Sequence, residues 1–583
     1  MKTIGKLGIS LATVISGSCI SYLAFNQSEW FNSAINEYLN VRIQNSQQLK
    51  TIIPTGSQVL GFLIAQFPKQ ILNCTRSDHF FIRDVSQKMI STANLPKGFN
   101  FASSLEDIPD STLTTLVRSL SVDENFFTTS SEVVQTSGKE LCDAFRQLLS
   151  CLPTSGKCVS WFTESAFHGG KSGYNLYKTM GWHPEDEGHL ETVSSSDEIL
   201  LFLKALRKHS ELKSHRSLIF ENNGLELLRL VNIGYSDVKT TRLLSQILGN
   251  LALDETSHKE IIKKGWLREL STWMKSKDTI VKSHSARALA NLDRKGEGGH
   301  IYEDGIFVVY PTKQLKCCRP EVDLVFLHGL RGSPFRTWRS MTNEIVEEKQ
   351  TGCWPRDWLP VDVPGCRVIL VQYDTELSGW TSKCPMQPEM STIKYRSSEL
   401  LNKLENAGVG RRPVIWIAHS LGGLMVKQML LDAAKSPKFS SLNANTKGVV
   451  FYAVPHKGSD IASMVTGKAR YVLLPSFEVK TLQKGSRYLE NLQKDFVNFI
   501  QENRIGVLSF AETLPARIVR DTFIVSPDSA DLGVGHFIPL SANHYEICKP
   551  GSRWAPAYVK TVDFVKRYVD TIDIEEFMPI PLL

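Results

Sequence analysis

A serine between an apolar strand and a helix becomes a nucleophile only when a base, an acid and an oxyanion site converge on it. The stretch "VIWIAHSLGGLMVKQ" sets Ser420 at such a junction, with Gly422 two residues later to let strand and helix approach. Ala418 occupies the position two before the serine, so the pattern is A-x-S-x-G where the usual elbow has glycine. The base is expected at His544, in "SANHYEICKP" ahead of the last helical stretch, because the chain order Ser, acid, His requires a late histidine. For the acid, Asp528 in "DTFIVSPDSADLG" stands nearest the end of a late strand, followed in rank by Asp531 and then by Asp460 in "VPHKGSD". An oxyanion hole is expected from the backbone N–H groups of Leu421 and of Leu330, the latter in "LVFLHGLRGS" just after an earlier strand. His328, His419 and His456 are read as orienting or packing residues.

These side chains need a scaffold that brings distant loops together. From about Gly305 the runs "GIFVVYP", "VDLVFLH", "RVILVQY", "PVIWIAH", "GVVFYAV" and "DTFIVS" alternate with helical stretches such as "STIKYRSSELLNKLENAG" and "LGGLMVKQMLLDAAK". Continuous apolar runs of this length are buried parallel strands, and they predict a doubly wound, mostly parallel α/β domain over 305–583. Residues 459–500, including "ARYVLLPSFEVKTL", interrupt that alternation and are read as a cap over an acyl chain, or else a surface excursion of two helices.

The remainder is of another kind. A chain of 583 residues exceeds one core, and 42% hydrophobic with 22% charged residues describes an ordinary globular protein. "ILGNLALD" and "ALANLDRK" place Asn250 and Asn291 41 residues apart, and Gly224 and Gly265 share that interval. That period predicts armadillo-like helical repeats over 196–296. Residues 201–300 hold 18 Lys plus Arg against 11 Asp plus Glu, an excess as large as the +7 of the whole chain. This localises any acidic protein partner to the helical segment, against the plainer reading of a solvated basic surface. No zinc spacing or nucleic-acid motif accompanies it. Residues 26–195 read as helices and linkers. Leu7 to Phe25 is 19 residues without a charge, about 28 Å as a helix, and predicts a single transmembrane anchor over 7–25 with a cleaved signal peptide as the alternative.

Taken together, "FLHGLRGSPFRTW", "CWPRDWLP", "AHSLGGLMVKQML", "VPHKGS", "SADLG" and "NHYEICKP", following the "ANLD" repeat, resemble the serine active site-containing protein family. The resemblance implies a lipase-like α/β hydrolase acting on phospholipid, tied to phosphatidylglycerol remodelling and intracellular cholesterol trafficking. It also implies a single-pass protein where mitochondrion and endoplasmic reticulum meet. The reading is thus a membrane-anchored serine hydrolase or transacylase of lipid esters, with Ser420, His544 and Asp528 as its triad and no metal or organic cofactor. The alternative is a catalytically silent tethered adaptor binding a partner through its armadillo-like segment.

Overall fold

A computed structural model describes residues 110–118, 124–127, 136–154, 156–168, 195–311, 320–340, 352–373, 392–459, 481–516 and 523–576. Leu7–Phe25, Asp460 and most of "ARYVLLPSFEVKTL" lie outside them. The chain divides into two compact units, one formed by Met1–Val134 with Glu255–Ser276, the other by Gln135–Asp254 with Lys277–Leu583. In the first, the helix Asp110–Arg118 and the helix Trp266–Met274 pack together, the latter burying Trp266 and Trp273.

The second unit holds the site. Its helices include α1 (Ser195–Glu211), α2 (Val238–Leu251) and α3 (Thr279–Leu292), with α2 packed against both others. Asp237 and Asp278 cap α2 and α3 in the same way, each accepting two backbone N–H groups of the first turn, which those helices cannot satisfy internally. Asn250 and Asn291 fall near the ends of α2 and α3 and are fully buried.

A seven-stranded sheet comes next: β1 (Ile306–Tyr310), β2 (Val322–Leu327), β3 (Cys366–Val371), β4 (Val414–His419), β5 (Thr446–Tyr452), β6 (Gly506–Glu512) and β7 (His536–Leu540). Its order is β1-β3-β2-β4-β5-β6-β7; β1 runs antiparallel to β3 and all other pairs are parallel. Alternate residues of β1 to β6 enter two different cores. Trp416 and Phe451 join the face covered by α4 (Ile393–Asn406), α5 (Leu421–Ala434) and α6 (Arg487–Glu502), while Ile415, Tyr452 and Phe510 meet Trp338, Trp354 and α7 (Pro556–Glu576). This is the strand order of an α/β-hydrolase sheet.

Five of the six expected strands form. "DTFIVS" does not: where described, it is a loop whose Val525 N–H donates to a Glu512 carboxylate oxygen and whose Ile524 carbonyl accepts from Ser459. The late strands are instead "GVLSFAE" and "HFIPL". The expected location in a membrane of mitochondrion or endoplasmic reticulum is overturned: among the described residues no helix is long and apolar enough to cross a bilayer.

Candidate active site

Strand register assembles the site. Leu327 pairs with Ala418, His419 with Tyr452 and Tyr452 with Phe510, so the residues that come after β2, β4, β5 and β6 emerge along one edge. At the end of β4 the chain turns sharply, and Ser420 has φ 52° and ψ −125°. A β-carbon is strained in that region, and such strain persists only where the surroundings hold it. Here the Ser420 N–H donates to the Tyr452 carbonyl at 2.9 Å, and Gly423 N–H donates to the Ser420 carbonyl at 3.0 Å. Gly422 must lack a side chain, since a β-carbon there would lie 2.6 Å from the carbonyl oxygens of Leu327 and His328. Ala418 needs no such exception: its methyl fits in the buried strand.

The base stands ready beside the serine. His544 Nε2 lies 3.0 Å from Ser420 Oγ, and His544 Nδ1 lies 3.1 Å from Glu512 Oε2. A carboxylate can only accept, so Nδ1 carries the proton and Nε2 is the lone pair that accepts from the serine hydroxyl. Glu512 is fully buried at the end of β6, and its second oxygen accepts the Val525 N–H at 2.7 Å, which fixes the carboxylate plane. His419 Nε2 donates to the His544 carbonyl at 2.9 Å, anchoring the loop that carries the base. Burial, and then the neighbouring His544, holds the His419 imidazole well below its ordinary value, so it stays neutral in that task.

Two of the three residues expected to form the triad meet; Asp528 does not join them. Its side chain is 83% exposed and paired with Lys457 at 2.8 Å, which holds its carboxyl below the usual range. Asp531 accepts the Gly533 N–H in a local turn. The carboxylate that faces His544 is that of Glu512, and an apolar run ending on a carboxylate is its only signal in sequence.

The loop after β2 crosses directly over Ser420. A β-carbon on Gly329 would lie 2.8 Å from Ser420 Cβ, and the side chains of Leu330 and Leu421 share one apolar cluster. Leu421 opens α5, where first-turn N–H groups lack helical acceptors and the helix dipole favours negative charge. His328 is spent on its own loop: Nδ1 donates to the Gly329 carbonyl at 2.9 Å and its ring stacks on Tyr373 at 4.4 Å. His456 packs edge-on against Phe451, with its Nδ1 3.4 Å from Lys427 Nζ.

The strand order, the strained serine elbow and the histidine–glutamate pair together define an α/β-hydrolase fold with a serine-hydrolase arrangement at its carboxyl edge. The chain is 38% identical over 518 residues to Protein SERAC1 of Danio rerio, covering 85% of this chain and 78% of that one. It is 41% identical over 444 residues to Protein SERAC1 of Homo sapiens, covering 73% and 67%. The chain belongs to the SERAC1 family. No family model matches it. Among solved structures, the phospholipase PlaB from Legionella pneumophila with thio-NAD aligns at 14% identity over 43% of this chain and 61% of that one, TM-score 0.32. The mature Bacillus licheniformis lipase BlEst2 aligns at 15% identity over 44% and 97%, TM-score 0.31.

Proposed function

We propose that this chain is a serine hydrolase or transacylase acting on lipid esters. Ser420 Oγ attacks the acyl carbonyl while His544 Nε2 takes its proton. Glu512 orients the imidazole and stabilises the imidazolium. The N–H groups of Leu421 and Leu330 receive the developing oxyanion. His544 then protonates the leaving alcohol, and water or a second lipid alcohol attacks the acyl-enzyme to free Ser420. The observation that carries this reading is the relay itself: 3.0 Å from serine to histidine, 3.1 Å from histidine to glutamate, on a strained elbow. A lipid ester as substrate, with phosphatidylglycerol first to be tried and a role in its remodelling and in cholesterol trafficking, rests on the family resemblance. The adaptor reading finds less support, because the repeated asparagines Asn250 and Asn291 are buried and bonded to the chain itself.

The test is covalent labelling by a fluorophosphonate, together with turnover of phosphatidylglycerol with a lysophospholipid acceptor in vesicles. Labelling and product formation should both vanish in Ser420→Ala. Equal product from the two proteins would sink the assignment, whereas serine-dependent cleavage of short soluble esters alone would keep the mechanism and discard the lipid.

A further inference from the structure

The helical segment grips a short stretch of its own chain. Asn291 reads the Tyr302 backbone at both ends: its Oδ1 accepts the Tyr302 N–H at 2.8 Å and its Nδ2 donates to the Tyr302 carbonyl at 2.9 Å. Arg287 Nη2 donates to Asn250 Oδ1 at 3.0 Å, tying this grip to the asparagine of the neighbouring helix. Two residues on, Asp304 accepts from Gln246 Nε2 at 2.6 Å and pairs with Arg287 at 3.6 Å. Side-chain amides that bind backbone at both N–H and C=O hold it in register without regard to its side chains. The stretch from Ile301 to Asp304 is therefore held through its backbone at Tyr302 and through its carboxylate at Asp304.

From Asp304 the chain reaches the catalytic edge within a few bonds. The Gly305 carbonyl accepts the Gln372 N–H at 2.7 Å, and Gly305, at φ 91°, leaves no room for a β-carbon, which would lie 2.5 Å from the Gln372 carbonyl oxygen. Ile306 then pairs with Val371. The next residue after Gln372 is Tyr373. Its hydroxyl donates to the His328 carbonyl, its ring stacks on the His328 imidazole within 8° of parallel, and its N–H faces His328 Nε2 at 3.5 Å. His328 immediately precedes Gly329 and Leu330, the loop that crosses Ser420.

We infer that Tyr373 is a positioning residue for the oxyanion loop, and that the helical segment sets Tyr373 by gripping residues 301–305. The inference rests on the serine-hydrolase reading only for its effect on rate; the mechanical coupling stands apart from it. A loop N–H displaced by a fraction of an ångström loses transition-state stabilisation without losing ground-state binding. The segment that the repeat pattern pointed to as a docking module thus works in cis, on the enzyme it precedes.

The experiment uses the full chain, as wild type, Tyr373→Phe and Asn291→Ala, with Gln246→Ala as a milder substitute should Asn291→Ala not fold. Turnover of a soluble p-nitrophenyl ester is normalised to sites titrated by fluorophosphonate, and amide hydrogen exchange is monitored over 328–333. Tyr373→Phe should lower kcat per titrated site about tenfold with KM within about twofold. Asn291→Ala should act in the same direction by about threefold. Both should exchange faster in the loop, with the pH–rate profile unmoved, since the base and its acid are untouched. Unchanged loop exchange in both variants, or fewer titratable sites with normal kcat per site, would overturn the inference. Absence of Ser420-dependent turnover in the wild type would instead defeat the hydrolase reading, and loop exchange would still decide the coupling.

Discussion

The two edges of the sheet handle polar groups in opposite ways. At the amino edge, Asp323 is fully buried and bound in a two-pronged pair by Arg367, with both contacts at 2.7 Å and Arg412 at 3.6 Å beyond. The buried charge there is spent on another charge. At the carboxyl edge, Arg331, Ser420 and Ala453 all take positive φ just beyond β2, β4 and β5, and His544 keeps its Nδ1 proton on Glu512 while its Nε2 lone pair faces the Ser420 hydroxyl proton. Strain and a movable proton sit where chemistry is wanted; relaxed, mutually neutralised charge sits where only cohesion is wanted.

Substitutions at the two edges should separate these roles. The largest effect is expected for Glu512→Gln, which keeps the shape and volume but lets the imidazole take the wrong tautomer; labelling and turnover should fall by about 10³–10⁴-fold. Asp528→Asn, at the exposed pair with Lys457, should stay within about twofold of wild type by the same assays. If Asp528→Asn proves the more damaging, the carboxyl edge has been misassigned. At the amino edge Asp323→Ala leaves a buried guanidinium without its carboxylate, and urea unfolding should show a loss of about 3–5 kcal/mol. Turnover per folded molecule should be unchanged, and a specific loss of kcat there would erase the contrast between the edges.

Gly422→Ala tests how closely strand and helix must approach at the elbow. Because the obstructing atoms are backbone carbonyls, the cost should be about 1–3 kcal/mol in stability together with slower labelling. The smallest effect is a slope with pH. Lys427, on the nucleophile helix, donates to Gln493 Oε1, and burial pushes its ammonium down to about 7 from an ordinary 10.5. Between those values the unfolded chain binds the extra proton, so stability rises with pH across the window and the penalty is fully present below pH 7. The melting temperature of Lys427→Met relative to wild type should therefore be most favourable near about pH 6 and lose ground towards about pH 10. A flat difference would show that the lysine keeps its charge in the fold.

Much of the site is legible in the sequence because its signals are local. The elbow needs a small residue after the serine and an apolar strand before it, both within ten residues of Ser420. His544 is reached from chain order alone. The acid escapes for a reason that begins one level up: "DTFIVS" and "GVLSFAE" are both short apolar runs of similar length, and periodicity does not distinguish a strand from an extended loop. Pairing decides between them, with Val507 opposite Val449 and Phe510 opposite Tyr452. Once β6 is the strand, Glu512 lies at its carboxyl end and Asp528 lies exposed on the short helical turn Pro527–Ala530.

Composition and local pattern by themselves determined that this protein has an α/β domain, a strained serine at a strand–helix junction and a late histidine to serve it, because turn chemistry and apolar runs are short-range properties of the chain. Which carboxylate faces the histidine, and what the repeated asparagines hold, were decided only by the tertiary structure. Glu512 and His544 are 32 residues apart in sequence, and Asn291 finds its partner in a linker rather than in another protein. Such choices depend on which strands pair and which loops they carry to a common edge, and a polar side chain is committed to a role only when burial removes water as its alternative partner.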